Sequence, residues 1–351
     1  MIKEAIIKLT ERKDLTFDEV QTVMNEIVNN QASPSQIAAF LTALKMKGET
    51  PSEIVSFARI LKSLCLKLQH SFNDLVDTAG TGGDKVKTFN VSTATAFVLA
   101  ASNIKVAKHG NRAVTGNSGS ADVLEELGIN IYLGPKEALE CLERINLCFL
   151  FAPLYHTATK NVATVRKEIG IKTIFNILGP LTNPANVNRQ VVGVYEPSLV
   201  YTIANALKSL NVKKACVVHG LEGIDEFSIS SNNLIAFIEE GEIDFSIFDI
   251  TEIGYKKFNT SDLICNSPKE SAKVIYDILS GKESLEAPKS LFLKFNAALG
   301  FIVAGKARDL KEGIQIAEET IKSGKPFEIL KEFVVLSKGN IDKFESFEKN
   351  V

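Results

Sequence analysis

The chain has 351 residues, 45% hydrophobic and 23% charged, a globular balance that excludes wholesale disorder and supplies enough apolar mass for a substantial core. At about 150 residues per domain, that length predicts two domains. Its 40 Lys and Arg against 42 Asp and Glu leave a net charge of -2, which excludes a general attraction to nucleic acid but not a local pocket for a small anion.

Up to Phe72 the apolar spacing is helical throughout. Ile2, Ile6, Ile7 and Leu9 begin one helix, and Thr16 precedes a second over Phe17–Val28, with Asp18 and Glu19 in its first turn. Ser33-Pro34 and Thr50-Pro51 start two more, Gln36–Lys47 and Glu53–Leu66, by the same device of a capping hydroxyl before a proline. Ile37, Phe40 and Leu41 form an apolar face that suits either internal packing or a second subunit. This stretch, residues 1–72, predicts a small all-α domain.

The texture then alternates between strand and helix. Leu75–Thr78, Ile104–Ala107, Ile129–Leu133 and Cys148–Phe151 read as strands, with helices near Thr93–Ala101, Ala121–Leu127 and Glu137–Arg144 between them. A helical stretch, Thr157–Ile174, and a Gly/Pro/Asn loop, Gly179–Ala185, interrupt the pattern. It resumes with strands Gln190–Val194 and Ala215–Val218 around a helix at Leu199–Leu210, and continues through Ile235–Phe237, Ser271–Ile278, Phe292–Val303 and Leu310–Ser323. The expected fold class is α/β, a mostly parallel central sheet flanked by helices plus the small all-α domain. The expected division is 1–72, joined by roughly 157–185, and an α/β domain of 73–156 and 186–351.

Cys65, Cys141, Cys148, Cys216 and Cys265 are odd in number and scattered, which predicts free thiols and no structural zinc site. Met1–Arg12 lacks the long apolar core of a signal peptide, and windows such as Ala94–Ala101 and Cys148–Leu154 are too short to span a bilayer. A cytoplasmic protein with no membrane partner is the expectation.

Two loops carry chemistry. Between the first strand and its helix stands Asp77-Thr-Ala-Gly-Thr-Gly-Gly-Asp84, where Gly80, Gly82 and Gly83 let the backbone approach an anion closely. Asn90, Ser92 and Thr93 then open a helix whose amides favour phosphate. Spacing rejects two familiar loops: a Walker loop ending at Lys87-Thr88 needs glycine at Val86, and a dinucleotide fingerprint from Gly80 needs it at Lys85. The second loop, Lys108-His-Gly-Asn-Arg112, follows the neighbouring strand, so both open on one sheet edge, where ligands bind. Gly116-Asn-Ser-Gly-Ser120 opens the next helix almost at once. So many donors and cations at one edge point to a polyanion.

These residues make the sequence resemble the anthranilate phosphoribosyltransferase family, of the nucleoside phosphorylase/phosphoribosyltransferase class. The resemblance is carried by Gly80-Thr-Gly-Gly-Asp84, Asn90-Val-Ser-Thr93, Lys108-His-Gly-Asn-Arg112 and Ser118-Gly-Ser-Ala-Asp-Val-Leu-Glu125. Arg166-Lys167, Thr173-Ile-Phe-Asn176, Leu178-Gly-Pro-Leu181, Asn183-Pro-Ala185 and His219-Gly220 leading to Asp225-Glu226 continue it, and Asn296-Ala297-Ala298 is its last trace. It implies transfer of a ribosyl 5-phosphate from phosphoribosyl pyrophosphate (PRPP) to the amine of anthranilate, with Mg²⁺ offsetting the charge of the diphosphate leaving group.

By the same resemblance Gly80, Gly83, Asp84, Thr88, Asn90, Val91, Ser92, Thr93, Lys108 and Ser120 bind PRPP, and Ser92, Asp225 and Glu226 hold the metal. Gly80, Asn111 and Arg166 bind anthranilate, with His109, His156, Gly179 and Pro180 lining its approach. Taken without the family, Arg166 beside Lys167 and Glu168 reads as a helix-surface residue, and Asp225-Glu226 as an exposed acidic turn. No catalytic acid or base is assigned. The family also implies a homodimer through the N-terminal helices, while association with anthranilate synthase stays open. Lys172, where an arginine is expected, and Thr115-Gly116, where two small hydroxyl residues are common, depart from the pattern. The competing readings are a pyrimidine nucleoside phosphorylase-like enzyme, which shares the fold and a phosphate loop, and a non-enzymatic nucleic-acid-binding paralogue, which the charge does not support.

Overall fold

The computed structural model describes residues 1–84, 86–113 and 118–349. Lys85, the Thr115-Gly116 departure and the Gly116-Asn117 start of the second glycine loop lie outside the described residues.

Four helices open the chain: α1 (Ile2–Thr10), α2 (Phe17–Val28), α3 (Pro34–Lys47) and α4 (Pro51–Leu64). Thr16, Ser33 and Thr50 cap the last three identically. Each hydroxyl accepts the amide of the third helical residue, whose side chain (Glu19, Gln36 or Glu53) returns to the cap's own amide. Ile37, Phe40 and Leu41, which the sequence leaves between two partners, are buried inside this chain.

The rest alternates as β1 (Val76–Asp77), α5 (Val91–Ala101), β2 (Val106–Gly110), α6 (Ser120–Glu126), α7 (Pro135–Ile145) and β3 (Leu147–Phe151). Then come α8 (Ala152–Tyr155), α9 (Lys160–Ile169), β4 (Arg189–Gly193), α10 (Ser198–Ser209) and β5 (Lys214–Gly220). The strands β6 (Asn233–Glu239) and β7 (Glu242–Phe248) precede α11 (Pro268–Leu279), α12 (Pro288–Val303), α13 (Leu310–Lys322), α14 (Lys325–Leu336) and α15 (Ile341–Lys349). The sheet order is β3-β2-β1-β4-β5-β6-β7, parallel from β3 to β5, with β6 and β7 added antiparallel. The hairpin turns at Glu240-Gly241, both at positive φ (49° and 84°), as a two-residue turn of that hand requires. Glutamate is a poor signal for such a turn, so the sequence did not announce β7.

Two expectations change. Ile129–Leu133 carries alternating burial, with Ile129, Ile131 and Leu133 buried, but forms no strand and pairs with none among the described residues. Two of its amides go instead to side chains, Asn130 to Ser337 Oγ at 3.1 Å and Tyr132 to Asn130 Oδ1 at 3.0 Å, while the Ile129 amide closes the end of α6 on Leu124 O at 2.9 Å. Burial period alone cannot separate such a segment from a strand. In contrast, β2 continues through Lys108, His109 and Gly110, residues expected in a loop.

Apolar residues fall into two clusters. One packs α5, α12 and their neighbours on one face of the sheet. The other joins α1–α4 to Val162 and Val165 of α9, to Ile174, Ile177, Leu178 and Leu181, and to β4, β5 and α10. The chain leaves central β1 for β2 on one side and β4 lies on the other, so the carboxyl ends of β1, β2, β4 and β5 surround a crevice.

Among the first four helices one carboxylate fixes the geometry. Glu53, fully buried, accepts from Leu15 N (3.0 Å), Thr50 N (2.9 Å) and Lys47 Nζ (2.7 Å), the last also buried. Glu53→Ala leaves Lys47 with Asp14 as its carboxylate partner (2.6 Å), strands two amides and should cost about 2–4 kcal/mol, read as a lowered denaturation midpoint. A loss below about 1 kcal/mol would show that the network contributes little.

Candidate functional site

The crevice is a cleft of about 270 Å³. The β1 exit forms its floor. Gly82 and Gly83 sit at positive φ (60° and 80°), and Gly80 lies so close to β4 that a Cβ would meet the Gly193 carbonyl and Asp225 Oδ2 at 3.0 Å. Two loop amides that the sequence offers to an anion are used within the protein: Thr81 N donates to Gly193 O at 2.8 Å and Gly82 N to Asp225 Oδ2 at 2.7 Å.

At the start of α5, Asn90 caps nothing with its side chain. Its Oδ1 accepts from Ser118 Oγ (2.7 Å) and Ser271 Oγ (2.9 Å), while Ser271 Oγ also accepts the Asn90 amide (2.9 Å). Lys108 comes up from β2, 3% exposed, its Nζ bonded to Thr78 O, Thr78 Oγ1 and Ser92 Oγ at 3.2–3.3 Å. Burial lowers its pKa to about 8 against the pull of Asp77, Glu226 and Asp225.

Asp84, Asp225 and Glu226 present oxygens within 4.8 Å of one another. Burial and repulsion from Asp225 raise Asp84 to about 7; burial raises Asp225; burial, Asp225 and Asp84 raise Glu226 well above the usual range. Lys87, whose Nζ donates to Asp84 O (2.6 Å) and Oδ1 (3.3 Å), opposes this only in part. Three crowded carboxylates disfavouring their own charge fit a hard divalent cation such as Mg²⁺. Thr88 Oγ1 reaches Glu226 Oε2 at 3.4 Å. Ser92, expected with the metal pair, lines the same cleft.

Asn111, Arg166, Phe175, Asn176 and Gly179 line the same cleft. Arg166 does not lie out on the helix surface. Its guanidinium donates to Asn176 Oδ1 at 3.2 Å, sits 5.6 Å from the Phe175 ring centroid, and keeps a buried Nε without a partner among the described residues. Its desolvation favours a ligand carboxylate. His109 Nδ1 lies 2.9 Å from Gly179 O, which requires the proton on Nδ1 and leaves Nε2 a bare lone pair.

Gly80, Gly83, Asp84, Thr88, Asn90, Ser92, Lys108, His109, Asn111, Ser120, Arg166, Gly179, Asp225 and Glu226 thus line one cleft. Val91, Thr93, His156 and Pro180 do not. Val91 and Thr93 face the interior, His156 packs behind His109 with ring centroids 5.1 Å apart, and the Pro180 carbonyl is bonded by Gln190 Nε2 at 2.6 Å. Lys172 covers the Tyr195 ring, 3.5 Å from its centroid. Sequence reasoning missed Lys87, Ser271 and Cys265. Lys87 appeared only in a rejected motif; Cys265 lines the cleft and Ser271 holds Asn90 from within the core, both from far along the chain, where no local pattern marks them.

Residues 3–65 match the helical bundle domain of the glycosyl transferase family, and residues 72–327 its a/b domain. The chain is 47% identical over 327 residues to the anthranilate phosphoribosyltransferase of Petrotoga mobilis, covering 93% of this chain and 94% of that one. It is 46% identical over 340 residues to that of Persephonella marina, covering 97% and 100%. Among solved structures, anthranilate phosphoribosyltransferase from Thermus thermophilus superposes with a TM-score of 0.88 at 36% identity, covering 95% of this chain and 99% of that one. The Saccharomyces cerevisiae protein in complex with PRPP and Mg gives 0.89 at 27% identity, covering 96% and 98%.

The two imidazoles set a pH limit on the fold. Burial, and for His109 also the neighbouring His156, lowers their pKa values to about 3 and about 4 from 6.5. Their contribution is complete above pH 6.5 and is lost as pH falls, because the unfolded chain binds protons that the folded one refuses. Each imidazole should lower the unfolding free energy by up to about 1.4 kcal/mol per pH unit from pH 6.5 down to 4, a loss that the raised carboxyls of Asp77, Asp84, Asp225 and Glu226 oppose. His109→Gln should remove one imidazole's share from the pH dependence, and a pH dependence identical to wild type would contradict the neutral buried state.

Proposed function

The chain belongs to the anthranilate phosphoribosyltransferase family, and we propose that its cleft transfers the 5-phosphoribosyl group of PRPP to the amine of anthranilate, releasing pyrophosphate. The observation that carries this reading is the meeting, in one crevice, of a buried lysine, a three-carboxylate cluster and a desolvated arginine beside an aromatic ring.

The bond from the anomeric carbon to the diphosphate oxygen breaks as the bond to the arylamine nitrogen forms, through a state with oxocarbenium character. The protein's part is to hold both reactants in line and to balance charge that moves to the leaving group. On the donor side Gly80, Gly83, Thr88, Asn90, Ser92, Lys108 and Ser120 bind PRPP, with Val91 and Thr93 supporting the helix start from behind. Lys108 acts as a fixed charge, since Thr78 and Ser92 occupy its donors. Asp84, Asp225 and Glu226, with Ser92 beside them, would hold Mg²⁺, which when bound neutralises the diphosphate.

On the acceptor side Arg166 and Asn111 bind the anthranilate carboxylate, and Gly80, His109 and Gly179 border the ring, with His156 and Pro180 supporting them. A neutral His109 leaves the guanidinium as the charge that selects a carboxylate here. An arylamine nitrogen is already neutral at pH 7, so no base need act before the new bond forms.

The proposed division is residues 1–72 with about 157–185 and an α/β part of 73–156 and 186–351; packing of Val162, Val165, Ile174, Ile177, Leu178 and Leu181 with the first four helices supports the joined stretch, although the same cluster runs on into β4, β5 and α10. Ile7, Phe17 and Met46, exposed on the first helices, support a homodimer through that region.

Loss of anthranilate fluorescence on adding PRPP with Mg²⁺ tests the reading; no turnover would sink it. Chelation should abolish the signal and fresh Mg²⁺ restore it. Arg166→Ala should raise the KM for anthranilate at least about ten-fold while that for PRPP stays within about two-fold. Equal effects on both substrates would remove the assigned role.

A further inference from the structure

We propose that Asn233 and Asn296 are positioning residues that clamp the backbone beside Asp225-Glu226 and so hold the acidic pair in place for Mg²⁺ and PRPP, an inference that rests on the reading above.

The pair lies in the connection between β5 and β6, outside any helix or strand. A single bridge, Gly220 with Ile224, precedes it. Directly after Glu226, the Phe227 amide donates to Asn296 Oδ1 and its carbonyl accepts from Asn296 Nδ2, both at 3.0 Å. The next residue repeats the arrangement: the Ser228 amide donates to Asn233 Oδ1 at 2.6 Å and its carbonyl accepts from Asn233 Nδ2 at 2.9 Å. Two side-chain amides thus pair two consecutive residues as a neighbouring strand would. Asn296 Nδ2 also donates to Phe292 O at 2.9 Å, which locks its amide onto α12. Both asparagines are buried, Asn233 fully and Asn296 at 6% exposure.

The acidic pair needs such a clamp because its members repel one another and Asp84. Phe227 is anchored by stacking on Phe295, with centroids 5.5 Å apart, but an apolar contact tolerates rotation of the backbone beside it. A loop held only by that contact could swing one carboxylate away from the other two. The paired amide bonds fix the peptide planes and remove that escape. Asn296 moreover borders the same small cavity as Ser92, Asp225 and Glu226.

The test uses the full chain as Asn296→Ala and as Asn233→Ala. Lys294→Met serves as a control: it removes the ion pairs that this α12 residue makes with Glu318 and Glu286 without touching the clamp. Mn²⁺ binding in the presence of PRPP and without anthranilate, followed by electron paramagnetic resonance, should weaken about ten-fold in both clamp variants. The KM for PRPP should rise with it, while that for anthranilate stays within about two-fold and Lys294→Met matches wild type. Folded variants with wild-type Mn²⁺ and PRPP constants, or with both substrates affected equally, would overturn the clamp. If Asn296→Ala does not fold, Asn233→Ala is judged by the same criteria, since it touches Ser228 rather than α12. Wild-type protein that neither binds nor turns over PRPP would overturn the functional reading and the clamp with it. Active wild type with unaffected variants would overturn the clamp alone.

Discussion

A carboxylate sealed from water, Asp77, is the joint on which the crevice depends. Its Oδ1 accepts the amides of Ala79 (3.0 Å) and His109 (3.2 Å), and its Oδ2 accepts Asn183 Nδ2 (2.7 Å). Those three bonds tie the glycine loop, β2 and the loop after the second helical stretch to a single residue of β1. Asn183 also donates to Ala107 O at 2.8 Å, so the third segment is fastened to β2 as well. Burial raises Asp77 to about 6, and the charge of Lys108 opposes that rise. The lysine and the aspartate therefore sustain each other's charge in a region from which water is excluded.

From that joint the electrostatics separate into regions. Lys108 stands near Asp77, while Asp84, Asp225 and Glu226 repel one another close by. Arg166 and the uncharged His109 line another part of the cleft. A net charge of -2 averages over this arrangement and conceals it. What matters to a polyphosphate is the local field of a few half-dry groups, which screening by solvent reaches poorly.

The contributions to the site also come from every part of the fold. β1 and β2 give the floor and the lysine, the stretch packed with the first four helices gives Arg166, the β5–β6 connection gives the acidic pair, and α11 and α12 support Asn90 and Phe227 from behind. Side chains on rigid elements hold the reacting groups, and amide side chains serve where no strand is available.

Local signals made much of this legible. Thr16, Ser33-Pro34 and Thr50-Pro51 marked helix starts because capping is chemistry within four residues. The glycines before Asp84 marked a close approach, and Lys108 through Arg112 marked a concentration of donors. The sequence could not place β7, the unpaired Ile129–Leu133 or the extent of β2, because pairing depends on which segment lies alongside. Nor could it decide whether Arg166 and Asp225-Glu226 face water or a cleft, since both surroundings suit the same local sequence. By itself the sequence determined the helical start, the alternating texture and the residue types able to bind a polyphosphate. Only the tertiary structure brought Arg166, Lys108 and the three carboxylates to one crevice and set Ser271, Asn233 and Asn296 behind them. Hydrogen bonds and charge act over a few ångströms of space, and those residues are far apart along the chain.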